Sequence, residues 1–410
     1  WGYFPSASVA WNISKENFMS KQTLFNDLKL RIGYGETGST AISPYTTLNM
    51  LSQGKTPVNG DLYTYYAASS TLPANLKWET TAQYNIGLDA TLFDQRLRIT
   101  VDYYNKTTRD LLNAVTLPAS SGYSTTIKNI GKMSNKGFEF MIDGDIFRTK
   151  EFTWIASANL AINKNEVKEL YGGKDVYGGR VGLSYIEDFV NLIRVGEPLG
   201  VFYTYKETGY DDNGNLKYED KDENEVLTND DKHITGNPHP DFTYGFNSDI
   251  RYKDFEFSFF FQGSQGNDIF NIGETANMDV GIGLNLKKDV LYSHWKADNT
   301  AEQNAAAKYP KASRNVKQNY SDRYVEDGSY LRLKNISLAY NLPVSKWSVG
   351  SWLKGVKVYV SAQNILTITN YSGMDPEVNS WGGGNSVNLG LDYLTYPNSK
   401  SITFGAKVEF

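Results

Sequence analysis

The stretch DFTYGFNSDIRYKDFEFSFFFQ, residues 241–262, alternates with a period of two. Phe242, Tyr244, Phe246, Ile250 and Tyr252 share one parity, and Thr243, Gly245, Asn247, Asp249 and Arg251 share the other. Beyond Lys253-Asp254 the pattern resumes with Phe255, Phe257, Phe259 and Phe261. Alternate side chains of a β-strand point to opposite faces, so each half is a strand with one aromatic and one polar face. A run of about ten residues is also what a tilted strand needs to cross a bilayer. A soluble sandwich shows the same alternation, so the repeats and their connections carry the decision.

The alternation recurs along the chain. Apolar positions of one parity are Ala7, Val9, Trp11 and Ile13; then Leu28, Leu30, Ile32 and Tyr34; then Tyr84, Ile86, Leu88, Ala90 and Leu92. Leu97, Ile99, Val101 and Tyr103 follow, then Phe138, Phe140, Ile142 and Ile146, then Phe152, Trp154, Ala156, Ala158, Leu160 and Ile162. After the 241–262 hairpin, Leu331 and Leu333 hold one phase and Ile336, Leu338 and Tyr340 the other, which predicts a β-bulge near Asn335. Val356, Val358, Val360 and Ala362, then Ile402, Phe404, Ala406, Val408 and Phe410, complete the series. The spacing predicts about eleven long strands. Segment 14–26 has some helical character, 286–297 reads as a helix carrying Leu286, Val290, Leu291 and Trp295, 200–208 reads as a short strand or hairpin outside the main sheet, and 36–80 has no sustained period.

The connections alternate in length. Short ones fall near 14–26, 94–95, 148–150, 253–254 and 343–354, and long ones near 36–80, 108–135, 163–240, 263–328 and 367–400. Outer-membrane barrels have tight periplasmic turns and long external loops, whereas a sandwich has no reason to sort loops by side. The expected fold is therefore all-β, a transmembrane antiparallel β-barrel with long extracellular loops. With the last strand running inward, an odd strand count places residue 1 outside the cell. Bacterial single-chain barrels have even strand numbers, so the whole of 1–410 is expected to be the C-terminal portion of a larger barrel. Trp11, Trp154, Tyr252, Tyr340 and Tyr359 are candidates for interfacial girdles.

Composition agrees. The 410 residues include 29 Tyr, 20 Phe and 36 Gly, no Cys, and a formal net charge of −5, which argues against a nucleic-acid partner. No apolar run is long enough for a membrane helix, and a mean hydropathy of −0.47 is compatible with barrel strands, which average out as polar. The three histidines, His233, His239 and His294, stand in no HExxH, and no GxSxG occurs, so no enzyme is expected.

The segments LKLRIGYGETG (28–38), NKGFEFMIDGDIF (135–147), GNPHPDFTYGFNSDIRYKDFEFSFFFQGSQGNDIFN (236–271), EDGSYLRLKNISLAYNLP (326–343), VYVSAQNILTITNYSGMDPE (358–377) and YPNSKSITFGAKVEF (396–410) resemble the C-terminal part of a SusC/RagA-type TonB-linked outer-membrane transporter of the Bacteroidetes. The resemblance implies a 22-stranded barrel whose width calls for a plug. It also implies a plug and TonB box N-terminal to these residues, the TonB-ExbB-ExbD machinery, a SusD-like surface lipoprotein as lid, and dimers of such pairs. Import of a large nutrient follows, an oligosaccharide first and a peptide second. The rival reading is a non-transporting surface adhesin or glycan-binding β-protein.

Rings that stack on sugars and amides that bond hydroxyls make Tyr63, Tyr65, Tyr66, Trp78, Tyr185, Trp381, Asn385 and Asn388 the candidate ligand contacts; packing of loop against loop is the plainer reading of each. Residues 206–233 hold ten acidic and four basic side chains, a local balance of −6. Within them Asp220, Asp222, Asn224, Val226, Thr228 and Asp231 follow calcium-loop spacing, a candidate place for structural Ca²⁺ or Mg²⁺. Glu225 stands where that motif has glycine, Asp231 replaces its bidentate Glu, and a solvated acidic loop is the alternative. No other cofactor is expected.

Overall fold

The computed structural model describes residues 2–39, 48, 51–68, 71–72, 76–121, 123, 125–314, 316–344, 352–377 and 387–410. One antiparallel sheet of eleven strands dominates it, ordered as in the chain. The strands are β1 (Ser6–Asn12), β2 (Phe25–Ser39), β3 (Glu79–Leu92), β4 (Leu97–Arg109), β5 (Lys132–Arg148), β6 (Phe152–Glu169), β7 (Phe242–Tyr252), β8 (Phe255–Gln265), β9 (Tyr330–Leu342), β10 (Gly355–Thr369) and β11 (Ser401–Glu409). The short connections all lie at one end of the sheet and the long ones at the other. Segment 14–26 contains two 3-10 turns, Ile13–Lys15 and Asn17–Met19.

Parity is kept across the whole sheet. Leu30, Leu88, Val101, Phe140 and Leu160 lie side by side on one face. On that face the side chains are bare: Val9 is 71% exposed, Phe138 54% and Phe404 79%. Among the described residues no second sheet covers them. Among the described residues, only Leu92, Val167, Tyr330, Leu333 and Ala339 of the eleven strands are buried apolar side chains. A sandwich would bury these rows; a lipid-facing wall leaves them open.

Aromatic rings mark both rims of the apolar band. At the short-turn end Phe147 touches Phe152 and Trp154, Phe152 meets Tyr252, and Phe255 meets Tyr340. At the long-loop end Tyr34 pairs with Tyr84 and Tyr103 with Phe138. Trp154 donates its indole N–H to Ser248 Oγ at 3.0 Å, which satisfies the one buried hydroxyl of that row on β7. Tyr359 does not belong to a girdle. It stands in register with Ala339 and Gly405 on the polar face, beside Lys357 and Ser361, and its ring occupies the space a Cβ on Gly405 would need.

The bulge falls at Lys334, which β8 and β10 both skip. It delivers Lys334 and Asn335 consecutively to the polar face and restores the apolar phase from Ile336 onward. The long connections hold more structure than their composition predicts. Within 36–80, β2 continues to Ser39, and Leu51–Val58 pairs with Asp61–Ala68 as a hairpin. Val201–Thr204 does form a strand outside the main sheet. Segment 286–297 is not an α-helix: it has one 3-10 turn, Lys288–Leu291, and the short α-helix is Ala301–Ala305. Val290 and Trp295 are nevertheless buried there, while Leu291 is exposed.

On the polar face Arg31 reaches from β2 over β3 to β4, bonding Asp89 at 2.8 Å and Asp102 at 3.0 Å. Gly87 lies directly between Arg31 and Asp102 in the register, and a Cβ there would collide with both. Gly87→Val is expected to break this bridge and lower the stability of the full-length protein by ~1–3 kcal/mol, read as a lower heat-unfolding temperature in detergent. Gly33→Ala, whose new Cβ would meet only Ser8 at 3.9 Å, is expected to leave it nearly unchanged.

Candidate functional site

The long connections at one end of the sheet pack into a domain of their own. Its core joins Phe202 and Val190 from the connection after β6, Phe270, Ile272, Tyr320 and Tyr324 from that after β8, and Leu391 from that after β10. Phe270 sits at the centre, with ring centroids 5.9 Å from Phe202, 5.4 Å from Tyr320 and 5.8 Å from Tyr324. Leu391–Asp392 adds as a parallel strand to Asp268–Asn271, which also pairs with Val325–Asp327. Full burial drives the Tyr324 phenol well above its ordinary pKa, so it stays a neutral donor, to Gln318 Oε1 at 2.8 Å. Burial, then the bond to Asp392, does the same for Tyr371.

The last connection is fastened to the wall by charge. Arg332 and Asp375 are both almost fully buried and form an ion pair; Arg332 also meets Glu377 at 2.9 Å, and Lys334 reaches Glu377 at 2.6 Å. Asp375 accepts further bonds from the Asn398 backbone N–H and amide at 2.8 and 3.0 Å, closing the two legs of the loop on each other. Arg332 and Lys334 stand two positions apart, so ordinary alternation puts both cations on this face. The sequence places Arg332 and Lys334 on one face, but their partners Asp375 and Glu377 lie 43 positions further on and no local pattern announces them. At the short-turn end the polar face forms a concavity of about 790 Å³ lined by Arg251, Glu256, Ser258, Lys357, Lys407 and Tyr359 among others.

Among the described residues, the proposed ligand contacts fall in separate connections. Tyr63, Tyr65 and Tyr66 lie on the 51–68 hairpin, 55%, 46% and 67% exposed. Trp78 is 40% exposed and meets Phe4 edge-on. Tyr185 is part of the loop core, its hydroxyl sharing a hydrogen bond with Thr275 Oγ1 at 3.0 Å and its pKa raised by burial. Asn388 is buried, with its Oδ1 accepting from the Gly179 N–H at 2.9 Å. Both are loop-packing residues. Trp381 and Asn385 fall outside the described residues.

In the acidic connection Asp220, Asp222 and Asp231 converge, each with a carboxylate oxygen within 4.8 Å of the others'. Glu225 takes the left-handed conformation that the sharp turn requires, φ 64°, despite not being glycine. Asp220 accepts from the N–H groups of Asn224 and Glu225, and Asp231 from those of Lys221 and Thr228. The Thr228 N–H leads in holding the Asp231 carboxyl below the usual range. Burial first, then the neighbouring carboxylates, pushes Asp222 up. The hard-oxygen set suits Ca²⁺ or Mg²⁺. Asn224 and Thr228 join the same cluster, donating to Asp222 at 2.7 Å and to Asp231 at 3.2 Å.

A bare apolar band with aromatic rims, a polar opposite face and loops sorted by end define the wall of an outer-membrane β-barrel. The chain belongs to the TonB dependent receptor-like, beta-barrel family, whose model matches residues 1–365. It is 38% identical to TonB-dependent receptor P3 of Formosa agariphila, over all of this chain and 42% of that protein. Identity to TonB-dependent receptor SusC of Bacteroides thetaiotaomicron is 32%, over all of this chain and 40% of that one. The solved RagAB peptide transporter superposes with a TM-score of 0.80 at 27% identity, covering 99% of this chain and 43% of that one. The chain thus spans about two fifths of the relatives' length, and the family is one of receptors and transporters, not enzymes.

Burial alone would raise the Asp375 carboxyl, but its bonds to Arg332 and to the N–H groups of Glu377 and Asn398 hold it below the ordinary value near 4. Stability from this group is complete above that ordinary value and is lost as pH falls through the depressed one. Asp375→Asn is expected to flatten this acid-side loss and to destabilise the loop at neutral pH by about 3 kcal/mol, since Arg332 keeps only Glu377. Thermal unfolding from about pH 2.5 to 6 checks both.

Proposed function

We propose that this chain is the wall and external mouth of a TonB-dependent importer that works with a SusD-like surface lipoprotein and carries an oligosaccharide inward. The observation that carries the reading is the pairing of a lipid-facing barrel wall with a packed loop domain at its outer end, matched end to end by a transporter of the RagA type. Such a domain offers a shaped surface for capture, and the polar wall beneath it offers a wet path. Energy is drawn from TonB-ExbB-ExbD. The exposed rings of Tyr63, Tyr65, Tyr66 and Trp78 suit the apolar faces of sugars. A peptide cargo is the second reading, favoured by the solved relative described as a peptide transporter. Deleting the full-length gene is expected to abolish uptake of one labelled oligosaccharide class, with the same loss on dissipating the proton gradient. Unchanged sugar uptake with lost peptide uptake would establish the second reading, and undiminished uptake of both would defeat import.

We further propose that the Asp220–Asp231 loop takes one hard divalent cation as a structural element. The crowding of three carboxylates supports this, because a cation would relieve their mutual repulsion. Calcium added to chelator-treated full-length protein should raise its unfolding temperature, and Asp222→Asn should remove the increment. A wild-type curve indifferent to calcium removes the ion from the account.

A further inference from the structure

The outward faces of β5 and β6 carry lysines immediately beyond the apolar band, at the long-loop end. Phe138 and Ile162 are the last apolar pair in the register there, and the next outward pair is Lys136 facing Lys164. Both are exposed, and neither has an ion-pair partner among the described residues. Like charges directly opposite on neighbouring strands repel and destabilise the pair. The nearby acids are already engaged: Glu166 with Lys168 at 2.6 Å and Glu36 with Arg109 at 3.1 Å. Near the long-loop ends of β7, β9 and β10 the outward residues Phe242, Leu331 and Ile368 are apolar.

We propose that Lys136 and Lys164 hold the phosphate of an acylated, phosphorylated lipid of the outer leaflet. Two features select that occupant. The lysines are set against each other, and Glu166, whose charge reaches both, is tied to Lys168, so an anion between them would relieve the repulsion. Directly below them Phe138 and Ile162 are 54% and 43% exposed, a surface for acyl chains continuous with the lipid-facing wall. The pair lies on the flank of the barrel, level with the headgroups. A partner seated there must itself lie in the outer leaflet, which separates this surface from any that serves capture of cargo.

The test uses full-length protein extracted from its native outer membrane, stripped of lipid and examined by native mass spectrometry. The probes are a monophosphorylated acylated glucosamine disaccharide, its dephosphorylated counterpart, and inorganic phosphate. The wild type is expected to retain the phosphorylated lipid at least about tenfold more tightly than the dephosphorylated one, as two surface cations at an anionic headgroup should give. Lys136→Gln with Lys164→Gln should bring the two lipids within about twofold, while Lys136→Arg with Lys164→Arg should preserve the difference. Lys253→Gln at the opposite rim should change nothing. Equal retention of both lipids by the wild type overturns the proposal. So does undiminished preference in the paired Gln variant with native strand content, or displacement of the lipid by inorganic phosphate alone.

Discussion

Inside a bilayer a backbone N–H or C=O has no water to bond, and every such group must find its partner within the protein. The eleven-stranded ladder is the answer this chain gives, and the rest of its architecture follows from it. Once the backbone is committed to the ladder, the side chains divide by parity. Rows such as Leu30, Leu88, Val101, Phe140 and Leu160 take the lipid side, and Arg31, Asp89 and Asp102 take the wet side. The few exceptions are locally repaired: Ser248 would be an orphan in the apolar rows without the indole of Trp154.

The protein therefore answers to two solvents. The sheet has almost no buried apolar core because lipid does the work of one. The external connections face water and bury Phe202, Phe270, Tyr320, Tyr324 and Leu391 as a soluble domain would. Acidic composition in those connections masks this core, although some of the charge, at Asp231, Lys232 and Asp375, is itself buried. Three connections distant in the chain must meet for that core to exist, and so the loop that follows β10 is held at both legs: by Arg332 and Lys334 against Asp375 and Glu377, and by Leu391 inserted in the core.

The wet face is knitted together by long side chains crossing short ones. Arg31 passes over Gly87 and Tyr359 lies over Gly405. Such pairs let a strand with no side chain at one point be bridged by its neighbours, which holds adjacent strands without filling the lumen. At the external rim Arg332 and Lys334, two positions apart on the same face, hold one loop, and the bulge at Lys334 resets the apolar phase from Ile336.

What could be read from the residues alone was everything with a period of two. Strand number, order, facing and the bulge near Asn335 are local facts, written within each strand by lipid on one side and water on the other. That left Tyr359 misplaced, because ring chemistry was put ahead of its own parity with Lys357 and Ser361. The loops were not legible in this way. Tyr185 and Asn388, candidate ligand contacts, are bonded within the packed loops to Thr275 and Gly179, and 286–297 has helical spacing but buries Val290 and Trp295 without an α-helix. Their partners lie up to two hundred positions away, Asn388 on Gly179 being the extreme, and no local spacing encodes a contact of that range. Only the tertiary structure decides which loop residues face each other and which are left for a ligand.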